Sequence, residues 1–272
     1  MNKLTLAATI GLSFALVGCF EGRKNTEQLC SDNPALRCEL LNMDDGQCRV
    51  PRTDLVWHRF EVLKQPTDEN KIEEYHILAE YEKCLSLAAQ IQPIDQNNRK
   101  DKRFTALMHA GEEKTRLVQE LKRSTSPQAL YFLWSQEGDD QAQRLFLRME
   151  GSPALETSEM QYALATFYTS RDAEKTVYLL HRALELSDGK KVNTEILKSL
   201  ASINFNLNRK EQAYIWAQVA SGFDVAIASA SGRQLMYGFD QEKYDQLDDV
   251  ASEVQDAIED GAFRAGMLAN YQ

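Results

Sequence analysis

The sequence has little glycine or proline, 13 and 6 in 272 residues, which excludes a collagen-like or low-complexity chain. It has no excess of positive charge: 31 Lys and Arg stand against 41 Asp and Glu, a formal net charge of -10. That sign is wrong for a general nucleic-acid binder, whose affinity comes from cations that neutralise phosphates. Short catalytic motifs are missing as well. The histidines His58, His76, His109 and His181 lie far apart and none belongs to a His-Glu-x-x-His pair, so a zinc hydrolase has no support. No Gly-x-Ser-x-Gly elbow, Walker loop or dinucleotide fingerprint occurs, which sets aside the readily recognised hydrolases, ATPases and dehydrogenases. Ser187-Asp188-Gly189-Lys190 has Ser-x-x-Lys spacing without the Lys-Thr-Gly or Ser-x-Asn that accompanies it in penicillin-recognising enzymes. Asn42-Met43-Asp44-Asp45-Gly46 lacks the alternating acids and trailing glutamate of a calcium loop and reads as a tight turn. No metal and no cofactor is expected.

Long apolar runs are absent except at the start. Met1-Asn2-Lys3 precedes an apolar run from Leu4 to Val17, the charged-then-apolar order of an export signal. The run falls short of the ~20 residues that a spanning helix needs, so the mature chain is expected not to cross a membrane. Its end, Leu16-Val17-Gly18-Cys19, resembles the lipobox of bacterial lipoproteins. The resemblance implies cleavage after Gly18, a diacylglycerol on the Cys19 thiol and acylation of the new amine. Two or more acyl chains anchor a protein stably where one is marginal. Phe20 stands where an aspartate would retain such a protein in the inner membrane, so the resemblance implies the periplasmic face of the outer membrane.

Cysteine is otherwise scarce: Cys30, Cys38, Cys48 and Cys84. An even number in an exported chain reads as two disulfides, with three pairings open. Zinc is disfavoured by spacing, because seven and nine residues separate the first three where zinc sites use two to four. A bridge to Cys84 would tie the segment 19–66, expected to be loop-rich, onto a helix.

From Asn70 onward the pattern is helical, with apolar residues at intervals of three and four as in Phe104, Leu107, Met108, Leu117 and Leu121. Ser126 before Pro127, Ser158 with Gln161 as a capping box, and Asn193 read as helix starts. Gly151, Gly189, Gly222 and Gly261 read as stops. The basic run Arg99-Lys100-Asp101-Lys102-Arg103 follows Gln96-Asn97-Asn98 and reads as a solvated linker.

A shift of 34 residues carries Leu130 to Leu164, Trp134 to Tyr168, Phe146 to Leu180 and Met149 to Ala183. A further 36 or 37 carries Leu164 to Leu200, Ala165 to Ala201, Leu180 to Ala217 and Ala183 to Ala220. The helix-turn-helix unit so defined over 124–222 resembles the tetratricopeptide and Sel1-like repeat families, most clearly in Leu200, Ala201, Ala213, Ala217 and Ala220, with Asn204 where those families carry Tyr. The resemblance implies an all-α solenoid of stacked pairs with a concave binding side. Tyr244, Leu247, Val250 or Ala251, Val254 and Ile258 form the stripe of an added helix from Asp240 to Gly261. Its other face carries Asp245, Asp248, Asp249, Glu253, Asp256 and Glu259 and is expected to be solvated.

The organisation expected is thus a signal peptide at 1–18, a cysteine-containing segment at 19–66, a helical segment at 67–123, repeats at 124–222 and capping helices at 223–272. As a whole the chain resembles an uncharacterised family of Gram-negative lipoproteins defined only as a domain of unknown function, most strongly at Asp44-Asp45-Gly46-Gln47-Cys48-Arg49 and Trp57. That resemblance implies no activity. The expected function is a non-enzymatic scaffold, held to the outer membrane by its lipid, that binds a periplasmic or envelope protein and no nucleic acid. Tyr131, Trp134, Phe205 and Trp216 are candidates for its partner groove. The alternative is an envelope enzyme or a glycan or small-ligand binder without a short motif.

Overall fold

A computed structural model describes residues 25–92 and 98–271. The signal segment, Cys19 and Phe20 lie outside the described residues, as do Gln96 and Asn97. The described residues form α-helices and short 3-10 turns, with no strand. They divide into two compact units, one built from residues up to 64 together with 77–111, the other from 65–76 together with 112–272. The stretch 67–123, expected as a segment of its own, is shared between the two.

In the first unit, α1 (Thr26–Asp32) opens on Asn25, whose side chain accepts the Gln28 N–H. The segment expected to be loop-rich instead carries the sixteen-residue α2 (Arg49–Lys64). Its buried face is Arg52, Leu55, Val56 and Arg59, at helical spacing. Two arginines interrupt the apolar stripe, which hides the helix in the sequence. Their guanidinium groups satisfy loop carbonyls: Arg52 donates to Asn42 and Asp45, and Arg59 to Leu36. This unit also takes the later turns of α3 (Asp68–Ala88) and the first turns of α4 (Arg99–Leu121). The basic run is therefore the start of α4 rather than a linker. The buried face of α4 contains Arg103, Ala106, Ala110, Leu117 and Leu121, while Phe104 and Met108 are exposed. Leu117 and Leu121 of the expected stripe are buried, but in the first turns the buried side is shifted by one position from Phe104 to Arg103, which pairs with Asp45.

Two disulfides close this unit, Cys30–Cys38 and Cys48–Cys84. The second joins the residue just before α2 to α3.

The second unit is a succession of helix pairs: α5 (Pro127–Glu137) with α6 (Asp140–Arg148), α7 (Ser158–Tyr168) with α8 (Ala173–Glu185), and α9 (Thr194–Asn206) with α10 (Lys210–Gly222). Loops of two to four residues join the members of each pair. Ser126 caps α5, its hydroxyl accepting the Ala129 N–H at 3.2 Å ahead of Pro127. Asn193 caps α9. The start of α7 differs from expectation: Thr157, not Ser158, takes the Met160 N–H, and Gln161 is buried and donates to the Leu155 carbonyl. Two hydroxyls stand in a row there, and the earlier one holds the extended backbone that a cap requires. After α10, the left-handed residue is Asp224 rather than Gly222. α11 (Ala230–Tyr237) and α12 (Gln241–Glu259) follow, and α12 packs on α10 through Leu247, Ala251, Val254 and Ile258. Gly261, at φ 65°, turns the chain out of α12 as its position suggests. Gly189, at φ 76°, lies against the Ile258 and Glu259 carbonyls with no room for a Cβ. Trp216, Tyr214, Phe146 and Phe263 are fully buried in a core that runs through all these helices.

Candidate functional site

The third helix pair and α11 enclose an open groove of ≈ 430 Å³. One wall is the outer face of α9, with Lys198, Ser202 and Phe205. The floor is Ala201, Ala217 and Ala220, three of the small residues on which the sequence resemblance to helical repeats rests. Small side chains let α9 and α10 approach closely and leave space above them. The far wall is the connector Val225–Ala228 together with Arg233, Met236 and Tyr237 of α11.

An aromatic cluster holds α11 in place. Tyr237 stacks on Phe239 with centroids 6.0 Å apart and meets Tyr214 edge-on at 5.3 Å. Tyr244 donates to the Arg233 carbonyl at 3.3 Å, and Tyr214 donates to Asp248 at 2.7 Å. Burial, with the Asp248 carboxylate beside it, raises the Tyr214 hydroxyl well above its ordinary value, so it stays a donor. Arg233 is half-buried; its Nη1 donates to the Ala228 carbonyl at 2.9 Å, and among the described residues it forms no ion pair. Lys198 pairs with Glu195 one turn earlier. A second trough of ≈ 240 Å³, lined by Thr169, Thr176, Ser199 and Ile203, adjoins the groove and shares Lys198, Ser202 and Asn206 with it.

In the first unit, a cavity of ≈ 470 Å³ borders the Cys30–Cys38 bridge and carries Glu27, Glu39, Asp44, Asp101 and Lys102. Asp44 accepts from Lys102 at 2.6 Å, and this contact lowers its carboxyl below the ordinary range. Among the described residues, no three His, Cys, Asp or Glu side chains are grouped to hold a metal ion.

The four aromatic residues expected to form a partner groove are not brought together. Trp216 is fully buried, its ring 5.5 Å from His181 and 5.7 Å from Phe263. Tyr131 and Trp134 are half-buried and pack on each other and on Phe146. Phe205 alone of the four reaches the groove, at 38% exposure. Helical spacing places the others between helices, where large aromatics gain most from burial. Burial also pushes the His181 imidazole down to about 4, which keeps it neutral. His76 lies edge-on to Phe132 at 6.0 Å, another packing position. Arg233, Met236 and Tyr237 escape sequence reading because the alanine- and serine-rich stretch before them has no helical period. The acidic residues of α12 are exposed, and Asp248 is engaged by Tyr214 and Gln218.

Fold and site together define an all-helical, doubly disulfide-bridged protein that carries an open apolar groove on a helix pair. A family described as a protein of unknown function, DUF2989, matches residues 16–218, and the chain belongs to it. The match begins at Leu16, the first residue of the Leu-Val-Gly-Cys quartet, and ends within α10. No curated protein and no solved structure matches the chain.

The stretch that carries the family resemblance is a structural knot. Tyr81 donates to Asn42 Oδ1 at 2.6 Å, Asn42 donates to the Gln47 carbonyl at 3.0 Å, and Gln47 N–H donates to Asp45 at 3.1 Å. Asp45 in turn pairs with Arg103, which also donates to the Ala88 carbonyl. Trp57 donates to Thr26 at 3.3 Å.

Proposed function

We propose that the protein is a lipoprotein of the outer membrane's periplasmic face and acts as a helical-repeat interaction module for another protein of the cell envelope. The observation that carries this reading is the groove borne by the last of three successive helix pairs, floored by the alanines on which the sequence resemblance to helical repeats rests. On this reading the pairs are tetratricopeptide- or Sel1-like units, whose stacked faces characteristically bind peptides and helices. Two disulfides agree with an oxidising compartment. The Leu16-Val17-Gly18-Cys19 quartet supplies the anchor. The module holds its partner rather than transforming it, a reading supported by His181 and Tyr214, whose ionisation is strongly shifted and which are packing residues outside the groove.

Cell fractionation with labelled palmitate tests the anchor. The wild-type chain is expected in the membrane fraction, labelled and released only by detergent; Cys19→Ala is expected unlabelled and soluble. A wild-type chain found soluble and unlabelled would contradict the proposal.

A further inference from the structure

We infer that the α9–α11 groove and the trough beside it receive one extended peptide segment in which an apolar side chain stands next to an acidic one. This deepens the interaction-module reading and rests on it. The chain carries a formal charge of -10, yet the groove lining holds no carboxylate and presents Arg233, which forms no ion pair among the described residues, while Lys198 is already paired with Glu195 outside the lining. The Arg233 guanidinium is fixed by its bond to the Ala228 carbonyl and keeps further N–H donors for an incoming carboxylate. Beside it, the alanine floor lies below Phe205 and Met236, 38% and 39% exposed, and leaves room for a side chain of leucine or phenylalanine size.

The trough favours a peptide over an acyl chain. Ser199 lines the trough, Ser202 and Asn206 line both trough and groove, and among the described residues no hydrogen bond engages their side chains. They offer donors and acceptors that a peptide backbone uses and a hydrocarbon chain does not. Ser202 and Asn206 stand where trough and groove meet, so one segment crossing α9 meets polar groups, the apolar floor and the Arg233 guanidinium in turn.

The test is selection of random dodecapeptides displayed on phage against the purified full chain in detergent. Recovered sequences are expected to pair Asp or Glu with Leu or Phe. The corresponding synthetic peptides should bind Arg233→Glu about tenfold more weakly, the loss of one charge-assisted hydrogen bond. They should also lose binding to Ala217→Trp, which fills the floor, and keep it with Asp249→Lys on α12. Because Ala217→Trp can disturb helix packing, the half-buried Arg233→Glu decides, with its thermal unfolding matched to wild type. No enrichment, enrichment of basic sequences, or unchanged binding to Arg233→Glu would overturn the inference. So would a stoichiometric fatty acid, beyond the anchor, in extracts of wild type but not of Ala217→Trp, or a dimer abolished by Ala217→Trp; these would make the occupant a lipid or a second copy. The selection does not involve the anchor, so its failure beside intact membrane attachment removes the peptide alone. Loss of attachment would leave the peptide preference standing.

Discussion

Arg103→Ala is expected to destabilise the first unit by about 3–5 kcal/mol, the usual cost of removing one partner from a buried ion pair. Asp45 and Arg103 are 7% and 5% exposed in their side chains, and the guanidinium also serves the Ala88 and Ile91 carbonyls. Removing it strands a buried carboxylate and two backbone acceptors at once. Asp45→Asn keeps the shape and should cost less, and the pair Asp45→Asn with Arg103→Met should recover part of the loss. The pH dependence has a definite sign. Burial alone would raise the Asp45 carboxyl, but the Arg103 hydrogen bond and the Gln47 N–H outweigh it and hold the carboxyl below the ordinary carboxylate range. A depressed carboxylate contributes stability above its ordinary value and loses it as pH falls through the folded value. Wild type should therefore lose stability below about pH 4 more steeply than Asp45→Asn. Urea unfolding followed by circular dichroism, with hydrogen exchange on peptides covering 40–60, measures both effects. Equal stability of Arg103→Ala and wild type would mean that the knot is not a source of stability.

Removing the Cys48–Cys84 bridge is expected to cost about 4 kcal/mol, and removing Cys30–Cys38 about 2.5 kcal/mol, in the chain-entropy account of loop closure. The difference follows from sequence separations of 36 and 8. The longer bridge joins the knot to α3, so Cys48→Ala with Cys84→Ala should speed hydrogen exchange across 42–60. Cys30→Ala with Cys38→Ala should confine its effect to α1 and the turns after it. Urea midpoints of the two double variants, compared with reduced wild type, test the order. An equal or reversed order would show that native-state contacts, not loop closure, set the contribution of these bridges.

The helices of the second unit were legible because their sequence signals are local and agree with one another. Ser126-Pro127 caps α5, Asn193 caps α9, and the stripe Leu247, Ala251, Val254, Ile258 seats α12. Legibility failed where buried charge replaces apolar surface. Arg52 and Arg59 break the pattern of α2, and Arg103 makes the buried face of α4 look solvated. No one-residue rule reveals such positions, since each arginine is buried only because a distant carbonyl or carboxylate receives it. The candidate site was half legible. Ala201, Ala217 and Ala220 stood out as aligned small residues and form the floor, but their neighbours were sought among large aromatics. Trp216 belongs to the core, and the cationic wall comes from α11, a helix without a periodic signal.

The central claim, a membrane-tethered scaffold for an envelope protein, is tested most directly by crosslinking the native lipidated chain in cells and identifying the captured proteins by mass spectrometry. The account predicts reproducible capture of one envelope protein, lost with Cys19→Ala and reduced with Arg233→Glu. Capture of abundant bystanders alone, unchanged by either substitution, would contradict it.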